Sequence, residues 1–133
     1  MDTGTPPGGS MDKVTKAKRV ILEECLSRGM TFIEIDTRVE GVDVLLRLKG
    51  DFALGLNLSY NFVPPDLDVS DWGVKATLKF GAEEYRCSVP WTAIWGIKLA
   101  KAADICLFSE SVPHEIVTAL QDRARRKPRK YMN

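Results

Sequence analysis

Between Val74 and Trp91 the chain reads VKATLKFGAEEYRCSVPW, with apolar and polar residues alternating up to a glycine and alternating again beyond it. A period of two sends successive side chains to opposite faces. The stretch therefore predicts a half-buried hairpin. Val74, Ala76, Leu78 and Phe80 face inward, Lys75, Thr77 and Lys79 face outward, Gly81-Ala82 turns the chain, and Tyr85, Cys87 and Val89 face inward on the return.

The same period appears earlier. TFIEIDTRV predicts a strand with Ile33 and Ile35 inward and Phe32 opposite them, and EGVDVLLRL continues extended after a turn at Glu40-Gly41. DFALGLNLS sets Phe52, Leu54, Leu56 and Leu58 on one face against Ala53, Gly55, Asn57 and Ser59. YNFVPPDLDVSDWG, with two prolines, three aspartates and a glycine, reads as a loop. WTAIWGIKLA reads as a short helical turn after Pro90, and ADICLF as the last strand.

Helical spacing frames these strands. Asp12 is placed to cap a helix running to about Arg28 and stopped by Gly29. Its stripe is Val14, Ala17, Ile21 and Cys25, widened by Val20, Leu22 and Leu26. So broad a stripe suits a helix lying over its own barrel or one shared with a second copy in a two-fold dimer. SVPHEIVTALQDRARRK predicts a final helix capped by Ser111, with Pro113 in its first turn, basic residues at its end and Pro128 as its stop. The expected fold class is α+β, mainly β: an N-terminal helix, five or six short strands in a small barrel or bent sheet, and a C-terminal helix. Residues 1–11 read as a flexible leader with Met11 a second possible start, 12–110 as the domain, and 111–133 as the C-terminal helix and basic tail.

Composition narrows the function classes. The 133 residues suit one domain, and 19 basic against 18 acidic residues leave a net charge of +1, too small for a global field that would gather nucleic acid or an anionic membrane. RARRKPRK is a local exception, with six basic residues and no acid. Three widely spaced cysteines, Cys25, Cys87 and Cys106, predict buried free thiols in a reducing, cytoplasmic setting. No apolar run is long enough to predict a transmembrane helix.

Chemistry-bearing patterns are sparse. His114 is the only histidine and stands far along the chain from any nucleophile motif, so no catalytic triad is expected. Metal-ligand spacing and the glycine-rich phosphate loops are missing, and Asp66, Asp68 and Asp71 do not match a calcium loop. The expectation is a protein that is not an enzyme and needs no metal or cofactor. DVSDWG fits the D-x-S-x-x-G element of PilZ domains, which bind cyclic di-GMP, but the arginine pair that family needs upstream is matched here only by Arg125 and Arg129, downstream.

FIEIDTRVEGV (32–42), ALGLNLSYNF (53–62), VKATLKFGAEEYRCSVPWTAI (74–94) and ADICLF (103–108), in this order, resemble the SspB family of protease adaptors, its short alphaproteobacterial branch in particular. The resemblance covers most of residues 12–110. It implies a helix followed by an Sm-like bent sheet, and a homodimer through Val14, Ala17 and Ile21. It further implies a groove that binds the ssrA tag or another degron peptide, and delivery of tagged polypeptides to the ClpX unfoldase of the ClpXP protease. By the same resemblance one groove wall comes from Ser59, Tyr60, Asn61 and Phe62, and the other from Leu78 and Lys79, where Lys79 replaces an arginine. The family's docking tail is long and often acidic, whereas this chain ends in KPRKYMN. An Sm-like RNA-binding module using the basic tail is the competing reading, disfavoured because the strands show no cluster of outward aromatics for base stacking.

Overall fold

The computed structural model describes residues 12–131, and side chains as far as Arg125. The leader 1–11, with Met11, lies outside the described residues, as do the side chain of Arg129 and the end of the tail.

Helix α1 (Lys13–Arg28) begins where Asp12 Oδ1 accepts the Thr15 N–H at 2.7 Å, and ends at Gly29, whose N–H donates to the Cys25 carbonyl. Seven strands follow: β1 (Thr31–Ile35), β2 (Leu54–Leu58), β3 (Asp68–Val69), β4 (Gly73–Phe80), β5 (Glu83–Pro90), β6 (Ile94–Leu99) and β7 (Cys106–Leu107). Helix α2 (His114–Tyr131) closes the described chain. The architecture is α+β, mainly β, as the alternation requires.

The strands form two antiparallel sheets, ordered β2-β1-β6-β7 and β3-β4-β5. The predicted hairpin is β4–β5, paired from Gly73↔Pro90 to Phe80↔Glu83 around Gly81-Ala82. At Gly73, φ is +151° and an added Cβ would stand 2.2 Å from the Val89 carbonyl oxygen, so only glycine fits. A single-turn 3₁₀ segment, Trp91–Ala93, carries the chain from one sheet to the other. The inner faces share one core of Ile33, Ile35, Leu56, Leu58, Val74, Ala76, Val89, Ile94 and Ile97, roofed by Leu22 and Leu26 of α1.

Several expectations are corrected. EGVDVLLRL is not a strand: Val42 and Val44 are buried, but only Asp43 bridges to Ser88, and Leu46–Leu48 forms a 3₁₀ turn. Burial of those two valines holds the segment against the core without a ladder. The turn in WTAIWGIKLA lasts three residues, after which β6 takes a central place beside β1 and buries Ile94 and Ile97 in the core. ADICLF pairs over two residues only. Cys106 is exposed and Cys25 half-buried, so only Cys87 is a fully buried thiol.

Ser111 does not cap α2. Its Oγ accepts from Lys18 Nζ at 2.8 Å, and α2 starts at His114. Pro128 does not end α2, which runs on to Tyr131. A proline there removes one backbone donor and crowds the carbonyl four residues earlier, so the last turn of α2 is its weakest.

Candidate functional site

Sheet pairing leaves two strand edges facing one another. β2 is the outer strand of its sheet, and β4 is covered by β3 only at Val74 and Lys75. Between these edges runs a groove of about 430 Å³, lined by Gly55, Leu56 and Asn57 of β2, Phe62 and Val63 of the following loop, and Thr77 to Phe80 of β4. It is the seam where the barrel fails to close. That is why its floor reaches Leu56 and Leu78, which are core residues.

Backbone alternation sets which groups enter the seam. Asp36 N–H donates to the Ala93 carbonyl and Met30 O accepts from Ala100 N–H, both on the β6 side, whereas Thr37 N–H donates to Asp51 O on the β2 side. Odd-numbered residues of β1 thus bond to Leu54, Leu56 and Leu58, and the peptide groups of Gly55 and Asn57 point to the open edge. On β4, Gly73 O accepts from Ser70 N–H on the β3 side, so Thr77 and Lys79 also turn their peptide groups to the seam. Gly55 has a second reason to be glycine: the Phe32 ring covers it, with ring atoms 2.6 Å from where a Cβ would sit.

Of the six residues assigned to the groove walls, Phe62, Leu78 and Lys79 line it together. Ser59 lines a smaller adjoining recess with Phe62, Pro64 and Asp66, and its Oγ accepts the Asn61 N–H at 3.0 Å. Tyr60 and Asn61 stand at that turn, exposed and outside the lining. They shape the wall rather than form it, because Phe62 N–H closes back onto Ser59 O and swings their side chains outward. Gly55, Asn57, Val63, Thr77 and Phe80 were not assigned to the groove from sequence. Alternation alone put Gly55 and Asn57 on the face opposite Leu56, but not at an unpaired edge. Val63, 80% exposed, is the kind of apolar side chain an incoming ligand would cover.

Lys79 is the one cation of the lining, and among the described residues no carboxylate stands within ion-pair distance of it. Asp66, in the adjoining recess, is instead fully engaged by Thr77 and Arg86. Its carboxyl is held below the usual range, first by the Thr77 hydroxyl and amide and then by the Arg86 charge.

The residues assigned to a dimer interface do not share one face of α1: Ile21 packs against the core, whereas Ala17 turns to the outer side. Lys18, Leu22 and Leu26 face the sheets, Ala17 is exposed, Val14 and Ile21 are half-buried, and Val20 is 64% exposed. The expected stripe therefore divides between two faces.

Outside the groove, His114 is exposed in the first turn of α2, 3.4 Å from Thr118 Oγ1. Among the described residues no three metal-ligating side chains cluster, and no helix is long and apolar enough to cross a membrane. The seam offers unpaired peptide groups, an apolar floor and one cation. These are the elements that hold an extended chain. No family model matches the chain, and no curated protein matches it.

Proposed function

We propose that this protein is a cytoplasmic, non-enzymatic adaptor that binds a short unstructured degron peptide of the ssrA type in the β2–β4 seam and delivers its bearer to the ClpXP protease. The observation that supports this reading is the seam itself: an open trough with strand edges on both sides, Leu56 and Leu78 beneath, and Lys79 at its wall. An extended peptide gains affinity there by pairing with exposed backbone. Selectivity comes from pockets under alternate side chains and from a cation facing its acids. The exposed stripe of α1 suits a homodimer, in which two cargo sites raise the effective concentration at a multi-subunit protease. ClpX is the partner implied by resemblance, contacted through the C-terminal region.

The test titrates three labelled ligands at low and high salt: an ssrA-tag peptide, a short single-stranded RNA and cyclic di-GMP. Saturable binding of the peptide alone is expected. Binding of RNA that collapses with salt would replace the adaptor by a nucleic-acid module, and binding of cyclic di-GMP alone would replace it by a nucleotide receptor.

A further inference from the structure

The loop that brings Phe62 and Val63 to the groove is tied to β4 by a single side chain. Asp66 Oδ1 accepts the backbone N–H of Thr77 at 2.9 Å, while Oδ2 accepts the Thr77 hydroxyl at 2.6 Å and Arg86 Nη1 at 2.8 Å. Three donors converge on one carboxylate, and one of them belongs to an open strand edge.

Which amide is capped decides the consequence. Thr77 and Lys79 are the residues of β4 whose peptide groups face the seam beyond the short cover of β3. A strand added to an edge bonds to alternate residues, so a peptide entering from the hairpin tip would use Lys79 and then Thr77. At Thr77 the donor is already taken. Its carbonyl remains, but an antiparallel pair exchanges both bonds, and here it can exchange one at most.

We propose that Asp66 is a register stop: it closes the β4 edge at Thr77, so that a bound peptide pairs with β4 at Lys79 alone and is otherwise held from the β2 edge by Gly55 and Asn57. This rests on the peptide-groove reading and adds to it a length specificity. The seam is lined along residues 55–57 and 77–80, which matches about three or four extended residues at ~3.3 Å each, and cargo beyond Thr77 leaves the edge.

The experiment follows the Thr77 and Lys79 amides by hydrogen exchange in the wild-type protein, with and without saturating ssrA-tag peptide. Thr77 is expected to be protected already and unchanged by peptide, and Lys79 to gain at least about tenfold protection. In parallel, affinities are measured for that peptide and versions shortened one residue at a time from either end. Asp66→Ala should bind the long peptides roughly fivefold tighter, the worth of one added backbone bond, with no gain for the shortest. Asp66→Asn keeps an acceptor for Thr77 and should retain the wild-type length dependence.

Lys79 indifferent to bound peptide, Thr77 newly protected in the wild type, or Asp66→Ala weakening every peptide alike would each overturn the register stop while leaving the groove reading standing. Failure of the wild type to bind any peptide would instead remove the groove reading, and the stop with it. Should Asp66→Ala not fold, the wild-type amides decide the matter alone.

Discussion

Lys18 Nζ donates to the backbone carbonyl of Trp91 at 2.7 Å from a side chain only 2% exposed. Ser111 Oγ is its second partner, and the Phe108 ring lies 5.7 Å from the nitrogen. One lysine thus joins α1, the 3₁₀ turn between the sheets and the approach to α2. Among the described residues it has no carboxylate within ion-pair distance, so its charge is held by neutral oxygens and an aromatic face.

Burial lowers the Lys18 ammonium from 10.5 to about 8, with Asp12 and Glu110 opposing. Below pH 8 both folded and unfolded chains hold the proton, and the folded one carries the cost of the buried charge. Between about 8 and 10.5 the folded chain sheds a proton that the unfolded chain keeps, so this group's contribution to stability rises with pH. Wild-type stability relative to Lys18→Met should therefore climb by roughly 1–2 kcal/mol from about pH 7 to pH 10. Urea unfolding of both proteins at each pH measures it. Taking the difference cancels the opposite trend from Cys87, whose thiol burial pushes up to about 12. A flat difference would show that burial does not lower the Lys18 ammonium, its charge being held in the core as well as in water.

Lys79 is exposed on the wall of the seam and carries no structural ion pair among the described residues. Lys79→Glu should weaken binding of an acidic degron peptide about tenfold at low salt, and less at high salt, because an attraction becomes a repulsion. The thermal midpoint should stay within about 2 °C of the wild type. Fluorescence anisotropy and a thermal melt read the two effects separately. Unchanged affinity would take Lys79 out of the site.

Val20, exposed on the outer face of α1, separates the two faces of that helix. Val20→Glu places a charge where a two-fold partner would pack, without touching Leu22 or Leu26. Light scattering should show a dimer for the wild type and at least a tenfold weaker one for the variant, with secondary structure retained. A dimer that ignores the substitution would move the interface elsewhere.

Arg38 clamps the start of α2 to the sheet region. It takes both Asp36 oxygens at 2.9 Å and both Glu115 oxygens at 2.7 and 3.1 Å, with its guanidinium 5.4 Å from the Phe52 ring. These bonds hold the Asp36 and Glu115 carboxyls below their ordinary values. Depressed acids stabilise the fold above their unfolded values and lose that contribution as pH falls through the folded ones. The anchor of α2 should therefore loosen below about pH 4, where unfolded carboxyls titrate. Protection factors at the Ile116 and Val117 amides, taken relative to intrinsic exchange at each pH, should fall there. Glu115→Gln should show the lower protection already at neutral pH.

Gly73→Ala should be among the most destabilising single changes in the chain, of order 3 kcal/mol or more. The new methyl meets the Val89 carbonyl inside the β4–β5 ladder, and that backbone cannot retreat without breaking pairs. Denaturant unfolding would reveal the loss. Near-neutral behaviour would mean that the ladder bends at Gly73.

Local signals, where they agreed with burial, were readable directly. Asp12 and Gly29 bound α1 because each satisfies backbone groups within its own turn. The β4–β5 hairpin followed from alternation around a two-residue turn. Leu78 and Lys79 were legible as opposite faces of one strand, whereas Phe62 was assigned to the wall by the family resemblance alone. Lys18 was not legible, since a mid-helix lysine reads as solvated. Only packing against Trp91 and Ser111, far away in sequence, gives it an interior place. Tyr60 and Asn61 stand outside the lining for the converse reason: the hydrogen bonds around Ser59 turn them outward, and adjacency in sequence does not show that.

The chain by itself determined which residues prefer helix or strand and which face each turns to the core, because periodicity and capping act over a few residues. Tertiary structure alone decided which strand edges stay unpaired, and so where the seam opens. An edge is a relation between Gly55 and Lys79, on strands in two different sheets, and no local preference records whether a third strand comes to lie between them.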